Sequence, residues 1–240
     1  MRVALIAAGG EGTRFGAEVP KQYVEVLGKP LIVYSLENFQ NSPEIDAIEV
    51  VCKPQYMDLV RGMAERYGIT KLKWFAEGGD TFQDSIRNGV YALREHLRDD
   101  DIVMMHPGVM PMLSQKAIAD GLRVCEEKGC SFAMFPVRFC LARRGSEEWT
   151  RECVYKEDYI ELNAPWTFRY GAVYDLYRDA EKAHKGETVK DYTLNLWIDM
   201  GHEAHYYRGD DASALKITTP FDLELFEAYL LVQQRKEQKQ

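Results

Sequence analysis

The stretch from Val3 to Tyr23, VALIAAGGEGTRFGAEVPKQY, decides how this chain is read. An apolar run, Val3 to Ala8, suits a buried strand and stops abruptly at Gly9-Gly10. The loop beyond holds two further glycines, Gly12 and Gly16, with Arg14 and Lys21. Small residues let backbone N–H groups close on a bound anion, and the two cations can meet its charge. The stretch therefore predicts a first strand that ends in a triphosphate-binding loop.

Outward from that loop, helical and strand patterns alternate. Leu31 to Phe39 has helical spacing after Pro30, a residue suited to a helix start. Strands are expected at Ile45 to Cys52, Leu72 to Phe75, Ile102 to Met105 and Ser131 to Val137. Helices are expected at Gln55 to Tyr67, Thr81 to Leu97 and Gln115 to Glu127. Such alternation implies an α/β fold, a Rossmann-like, mostly parallel sheet with helices on both faces. Ligands of these sheets bind beyond the carboxyl ends of the strands. The loops Gly9 to Tyr23, Gly78 to Ser85 and His106 to Ser114 should converge there.

From about Arg138 to Leu162 the alternation breaks into short, polar runs, read as a projecting β-arm. Helices then resume near Ala172 to His184 and Tyr192 to Met200, with a strand at Ala204 to Tyr207. Leu215-Lys216-Ile217 and a helix from Pro220 to Gln233 follow, and the charged tail from Arg235 is expected to fray. No repeat or linker interrupts the chain, so residues 1–240 are expected to form one domain with the arm at about 138–162.

The 240 residues are 46% hydrophobic, enough for a substantial core, and the net charge of -8 argues against a nucleic-acid partner. No apolar run reaches the ~20 residues that span a bilayer, and a core strand follows the first two residues, so neither a membrane partner nor a leader is expected. Five cysteines without a C-x-x-C pair suit reduced thiols in the cytoplasm. His202 and His205 lie three apart, a spacing that puts strand side chains on opposite faces and disfavours a shared metal.

Three glycine-rich phosphate loops compete for the first loop. The P-loop string Gly-x4-Gly-Lys-Ser/Thr is absent. A dinucleotide loop fits the looser spacing Gly10, Gly12, Gly16, but wants an acid at the end of the second strand, where Val51-Cys52-Lys53-Pro54 has none. A nucleotidyltransferase loop fits better, because Arg14 and Lys21 can both reach one triphosphate. That chemistry brings two phosphates together and needs cations, with no protein nucleophile.

Ala7-Ala8-Gly9-Gly10-Glu11-Gly12-Thr13-Arg14-Phe15-Gly16 with Pro20-Lys21-Gln22-Tyr23 resembles the signature of the cytidylyltransferases that make CDP-alditols. Their best-known branches act on methylerythritol 4-phosphate, in isoprenoid synthesis, and on ribitol 5-phosphate, in teichoic-acid or related glycan synthesis. The similarity continues at Gly78-Gly79-Asp80, Asp84-Ser85, Lys216-Ile217-Thr218-Thr219-Pro220 and Asp222-Leu223. It implies transfer of CMP from CTP to a polyol phosphate, with Mg2+ as cofactor and a homodimer formed through the arm. It implies that Arg14 and Lys21 hold the triphosphate and that Lys216 bridges the reacting phosphates. Nucleotide contacts would come from Ala7, Ala8, Gly9, Gly10, Gly12, Thr13, Gly79, Asp80, Ser85 and Gly108. Cys140 and Lys156 occupy the arm positions that meet the acceptor.

The chain also departs from that pattern. The third loop usually reads His-Asp-Ala-x-Arg-Pro, and here it is His106-Pro107-Gly108-Val109-Met110-Pro111. Pro107 and Met110 can neither ligate a hard cation nor pair with a phosphate. Phe82 stands for an arginine, Phe139-Cys140 for an Asp-Thr pair, and Ala164-Pro165-Trp166 for Thr-Pro-Gln. The metal ligand is thus left unknown, with Asp80, Asp210 and Asp211 as candidates. Two alternatives stay open: a catalytically impaired CTP-binding homologue, and a nucleotidyltransferase for another phosphorylated acceptor.

Overall fold

The structure, a computed structural model, describes residues 1–10, 19–185 and 192–238. The chain begins with β1 (Arg2–Ala7), the short strands β2 (Glu25–Val26) and β3 (Lys29–Pro30), and α1 (Leu31–Gln40). Next come β4 (Ala47–Cys52), α2 (Met57–Arg66), β5 (Leu72–Glu77), α3 (Phe82–Ala92), β6 (Ile102–Pro107), α4 (Gln115–Lys128) and β7 (Cys130–Pro136). The last elements are β8 (Leu141–Ala142), β9 (Cys153–Val154), β10 (Ile160–Arg169), α5 (Tyr170–Lys182), α6 (Thr193–Asp199), β11 (Tyr206–Arg208) and α7 (Pro220–Glu237).

Among the described residues, seven strands make one sheet in the order β11-β7-β10-β6-β1-β4-β5. β1 lies between β4 and β6 and runs parallel to both, so the Gly9-Gly10 loop leaves the middle of the sheet. Alternation along β1 sorts the core into two layers. Ala4 and Ile6 face the layer packed by Ile32 and Phe39 of α1, Val60 of α2 and Ile118 of α4. Val3 and Leu5 face the layer packed by Ile86 of α3, Val173 of α5 and Trp197 of α6.

Local signals explain several boundaries. Thr81 caps α3 in a reciprocal box with Asp84, and Thr219 caps α7 in the same way with Asp222. Gly129 closes α4 at φ +87°, donating its N–H to the Cys125 carbonyl at 2.7 Å.

The sequence reading missed one strand of the main sheet. β10 is antiparallel to both β6 and β7, inside the sheet. Its first residues had been expected in the arm, and Pro165 argues against an interior strand because it cannot donate to a ladder. The register shifts between Asn163 and Trp166, so the proline sits where the ladder is interrupted. The arm itself is a short antiparallel ribbon pairing Leu141 with Val154 and Ala142 with Cys153. One smaller expectation also changes: α7 continues into the charged tail as far as Glu237.

Candidate functional site

The loops after β1, β4 and β5 border a cleft of about 550 Å³ lined by residues including Gly9, Gly10, Lys53, Gly79, Asp80, Phe82 and Ser85. The approach is close, tight at Gly9 and closed to a side chain at Gly79. A Cβ on Gly9 would lie 3.1 Å from Ser85 Oγ, and a Cβ on Gly79 would lie 2.3 Å from Asp84 Cβ. Ser85 is buried and works as a bracket. Its Oγ accepts from the Gly79 N–H at 3.0 Å and donates to the Thr81 carbonyl at 3.0 Å. The glycine turn is thereby fixed on the first turn of α3, whose N-terminus favours negative charge. Asp80 is exposed at the tip of this turn.

The first loop is anchored from behind. Ala8 donates its N–H to Val51 at 2.8 Å. Gln22, buried, donates Nε2 to the Ala8 carbonyl at 2.7 Å and to the Gly10 carbonyl at 2.9 Å. The sequence reading gave Gln22 no part. Its signal was only its place in the Pro-Lys-Gln-Tyr tetrad. Arg14, Gly12 and Thr13 lie outside the described residues. Lys21, half-buried, opens the short turn Lys21–Tyr23. Burial pushes the nearby Asp222 carboxyl up, but the N–H groups of Thr219 and Thr218, at 2.7 and 2.8 Å, outweigh it and, with a smaller contribution from the Lys21 charge, hold it below the usual range. Lys21 therefore lies near the start of α7.

Lys216 is half-buried, with Nζ 5.6 Å from the centre of the Tyr192 ring. The Ile217 N–H donates to the Val109 carbonyl at 2.9 Å, which ties Lys216 to the turn after β6. That turn is apolar and inaccessible: Pro107, Val109, Met110 and Pro111 are all buried. Met110 packs into the core with Met105, Ala164 and Trp166. His106 Nε2 bonds the Met110 carbonyl at 2.8 Å, and burial pushes its imidazole down to about 4, so the ring is neutral. Gly108, an expected nucleotide contact, is buried and donates its N–H to the Ala7 carbonyl at 2.9 Å. It supports the first loop from behind.

Phosphoryl transfer calls for a divalent cation. The turn Pro107–Met110 offers no side-chain oxygen, and the carboxylates on the cleft, Glu77 and Asp80, are exposed. Asp210 bonds the Ser114 hydroxyl, and Asp211 pairs with Arg138 and Arg208. No group of three His, Cys, Asp or Glu gathers among the described residues. Among the described residues no all-protein cage for Mg2+ is built, so an ion would rest on one or two of these carboxylates together with substrate phosphates. His202 stacks on Trp197 at 4.2 Å, which accounts for it without a metal. Cys140 and Lys156 are exposed on the arm and are not among the residues that line the cleft.

The model of one protein family, 2-C-methyl-D-erythritol 4-phosphate cytidylyltransferase (IspD), matches residues 2–232. The chain is 35% identical over 230 residues to a ribitol-5-phosphate cytidylyltransferase of Lacticaseibacillus paracasei, covering 96% of this chain and 98% of that one. It is 27% identical to a 2-C-methyl-D-erythritol 4-phosphate cytidylyltransferase of Clostridium novyi, covering 95% of each. The fold is that of 4-diphosphocytidyl-2C-methyl-D-erythritol synthase from Anaerococcus prevotii, with a TM-score of 0.79 at 20% identity over 96% of each chain.

Proposed function

The chain belongs to the 2-C-methyl-D-erythritol 4-phosphate cytidylyltransferase family, and on that footing we propose that it transfers CMP from CTP to the phosphate of a polyol phosphate. An oxygen of the acceptor phosphate attacks the α-phosphorus of CTP. The bond to the bridging oxygen breaks, and pyrophosphate leaves with its electron pair. The products are a CDP-alditol and pyrophosphate.

The observation that carries this reading is the Gly9–Gly78–Ser85 contact. It joins a phosphate loop to a glycine turn at the head of α3 in one cleft. Backbone groups of Gly79, with Asp80 and Ser85, would read the base and ribose. Ala7, Ala8, Gly9, Gly10, Gly12, Thr13 and Gly108 would shape the loop that receives the phosphates. Arg14 and Lys21 would hold the triphosphate, and Lys216 would neutralise charge as the two phosphates meet. No step is assigned to a metal. The exposed aromatic side chains of the arm, Phe139 at 81% and Tyr155 at 81%, support a homodimer formed through it, in which Cys140 and Lys156 reach an acceptor. Free thiols at all five cysteines suit the cytoplasm.

The test is titration with each nucleoside triphosphate, with and without Mg2+, followed by pyrophosphate release across a panel of alditol phosphates. Preferential CTP binding and CTP-dependent release on one acceptor are expected. If no triphosphate binds, the reading fails.

A second reading, a CTP-binding protein that does not turn over, is favoured by the buried apolar turn Pro107–Met110. It expects CTP binding with no product on any acceptor, and product from Pro107→Asp combined with Met110→Arg.

A further inference from the structure

The last helix, α7, is apolar on two opposite faces. Leu223, Phe226 and Leu230 pack inward, in the cluster that holds Leu31 and Ile217. Phe221, Leu225 and Val232 are 64%, 45% and 45% exposed, and Ala228 between them is exposed as well. At about 100° per residue, the two sets lie on opposite sides of the helix. The outer set recurs after four, three and four residues, the spacing of a seam that meets another helix. Tyr229 and Leu231, both exposed, widen it on either side. A surface helix normally turns such a strip to a core, and a contiguous apolar strip left in water marks a contact surface.

We propose that the outer strip of α7 pairs with the same strip of a second copy of this chain, the two helices running antiparallel. The contact is separate from the arm and does not depend on it.

Charge selects both the occupant and its direction. The first half of α7 carries Asp222, Glu224 and Glu227, and its last turn carries Arg235 and Lys236. An antiparallel second copy brings the acidic half of each helix onto the basic end of the other. A parallel copy would set acid against acid and base against base, which is unfavourable. The positions round the helix agree. Glu224 and Arg235 lie about 20° apart on one flank of the strip, and Asp222 and Lys236 about 40° apart on the other. In an antiparallel pair each flank meets the same flank of its partner. Glu224 against the partner's Arg235 and Asp222 against the partner's Lys236 require one register, centred near Tyr229. That register puts Ala228 next to the centre of the seam, where a small side chain lets two helices approach closely. Such a contact is isologous, with the same strip used by both copies.

Sedimentation velocity over a range of chain concentrations compares the wild type with Leu225→Lys, Glu224→Arg, Arg235→Glu and the double reversal. Disulfide trapping locates the contact. Ala228→Cys and Leu225→Cys are each oxidised in a chain that also carries Cys140→Ser and Cys153→Ser, which removes the two exposed thiols. Leu225→Lys is expected to weaken one association step by at least about thirtyfold, the scale of a central interface residue. Its melting temperature should hold, because Leu225 is exposed in the single chain. Each single reversal should weaken the same step about fivefold, and the double reversal should restore it. Ala228→Cys should trap a covalent pair. Leu225→Cys should not, because the antiparallel register sets its two copies about 13 Å apart along the helix. Association through the arm alone would survive Leu225→Lys and overturn the proposal. A wild type that associates no more than Leu225→Lys, reversals without effect, no trapping at Ala228→Cys, or equal trapping at Leu225→Cys overturns it too.

Discussion

The Ile217 amide donates to the Val109 carbonyl at 2.9 Å, and this bond sets Lys216 beside the turn that ends β6. A lysine from the far end of the chain is thus carried to the mouth of loops built by its first half. Ile217 and Val109 are both buried, in a small cluster with Val26, Leu31 and Phe226, so the placement rests on packing as well as on the bond.

Lys216→Met should therefore lower kcat/KM by about 10²–10³, the usual loss when one charge-stabilising group is removed from a transfer site. The side chain is half-exposed, so the melting temperature should hold. Pyrophosphate release and a thermal scan on the same preparation check both halves.

Gln22→Leu leaves the Ala8 and Gly10 carbonyls without their buried donor. A loss of about 1–3 kcal/mol in unfolding free energy is expected. CTP affinity should fall with it, because the loop that holds the phosphates loses its anchor. Urea unfolding and CTP calorimetry measure the two effects, and unchanged CTP affinity would mean that Gln22 does not shape the loop.

Gly79→Ala forces a methyl group to 2.3 Å from Asp84 Cβ, so the turn must open and the Gly79–Ser85 bond must break. CTP binding should be lost. Gly62→Ala, inside α2 where a Cβ meets nothing within 4 Å, serves as the comparison and should gain about 0.5–1 kcal/mol. Calorimetry separates the two variants.

Glu49 lies fully buried on β4, and neither carboxyl oxygen has a hydrogen-bond partner. Burial holds its carboxyl well above the usual range. The folded chain keeps this proton after the unfolded chain has released it. Stability should therefore fall as pH rises above the ordinary carboxyl range, by at most about 1.4 kcal/mol per pH unit, until the folded carboxyl ionises. Glu49→Gln should remove that slope and stabilise the chain at neutral pH. His106 acts in the opposite sense. Its imidazole, held down at about 4, costs stability as pH falls from 6.5. Urea midpoints from about pH 5 to about pH 8 resolve both slopes, and identical profiles for wild type and Glu49→Gln would contradict the assignment.

Much of the fold was legible locally. The apolar run before Gly9, the Thr81-to-Asp84 and Thr219-to-Asp222 boxes, and the alternating periods each report on neighbours within one or two turns. Backbone propensity and side-chain periodicity act at that range, so the order of elements and the glycine loop could be read directly. β10 escaped because Pro165 contradicts a strand locally, and only the ladders of β6 and β7 on either side make one.

What the sequence determined by itself was the α/β alternation and the chemistry of a glycine loop with nearby cations. The tertiary structure decided how distant residues meet. It drew Gln22 under the loop, sealed Pro107–Met110 into the core, and gathered Phe82, Trp166 and Tyr192 beside Lys216. Such contacts are fixed when helices and strands pack their faces together. They depend on the register and approach of whole elements, and no local pattern records them.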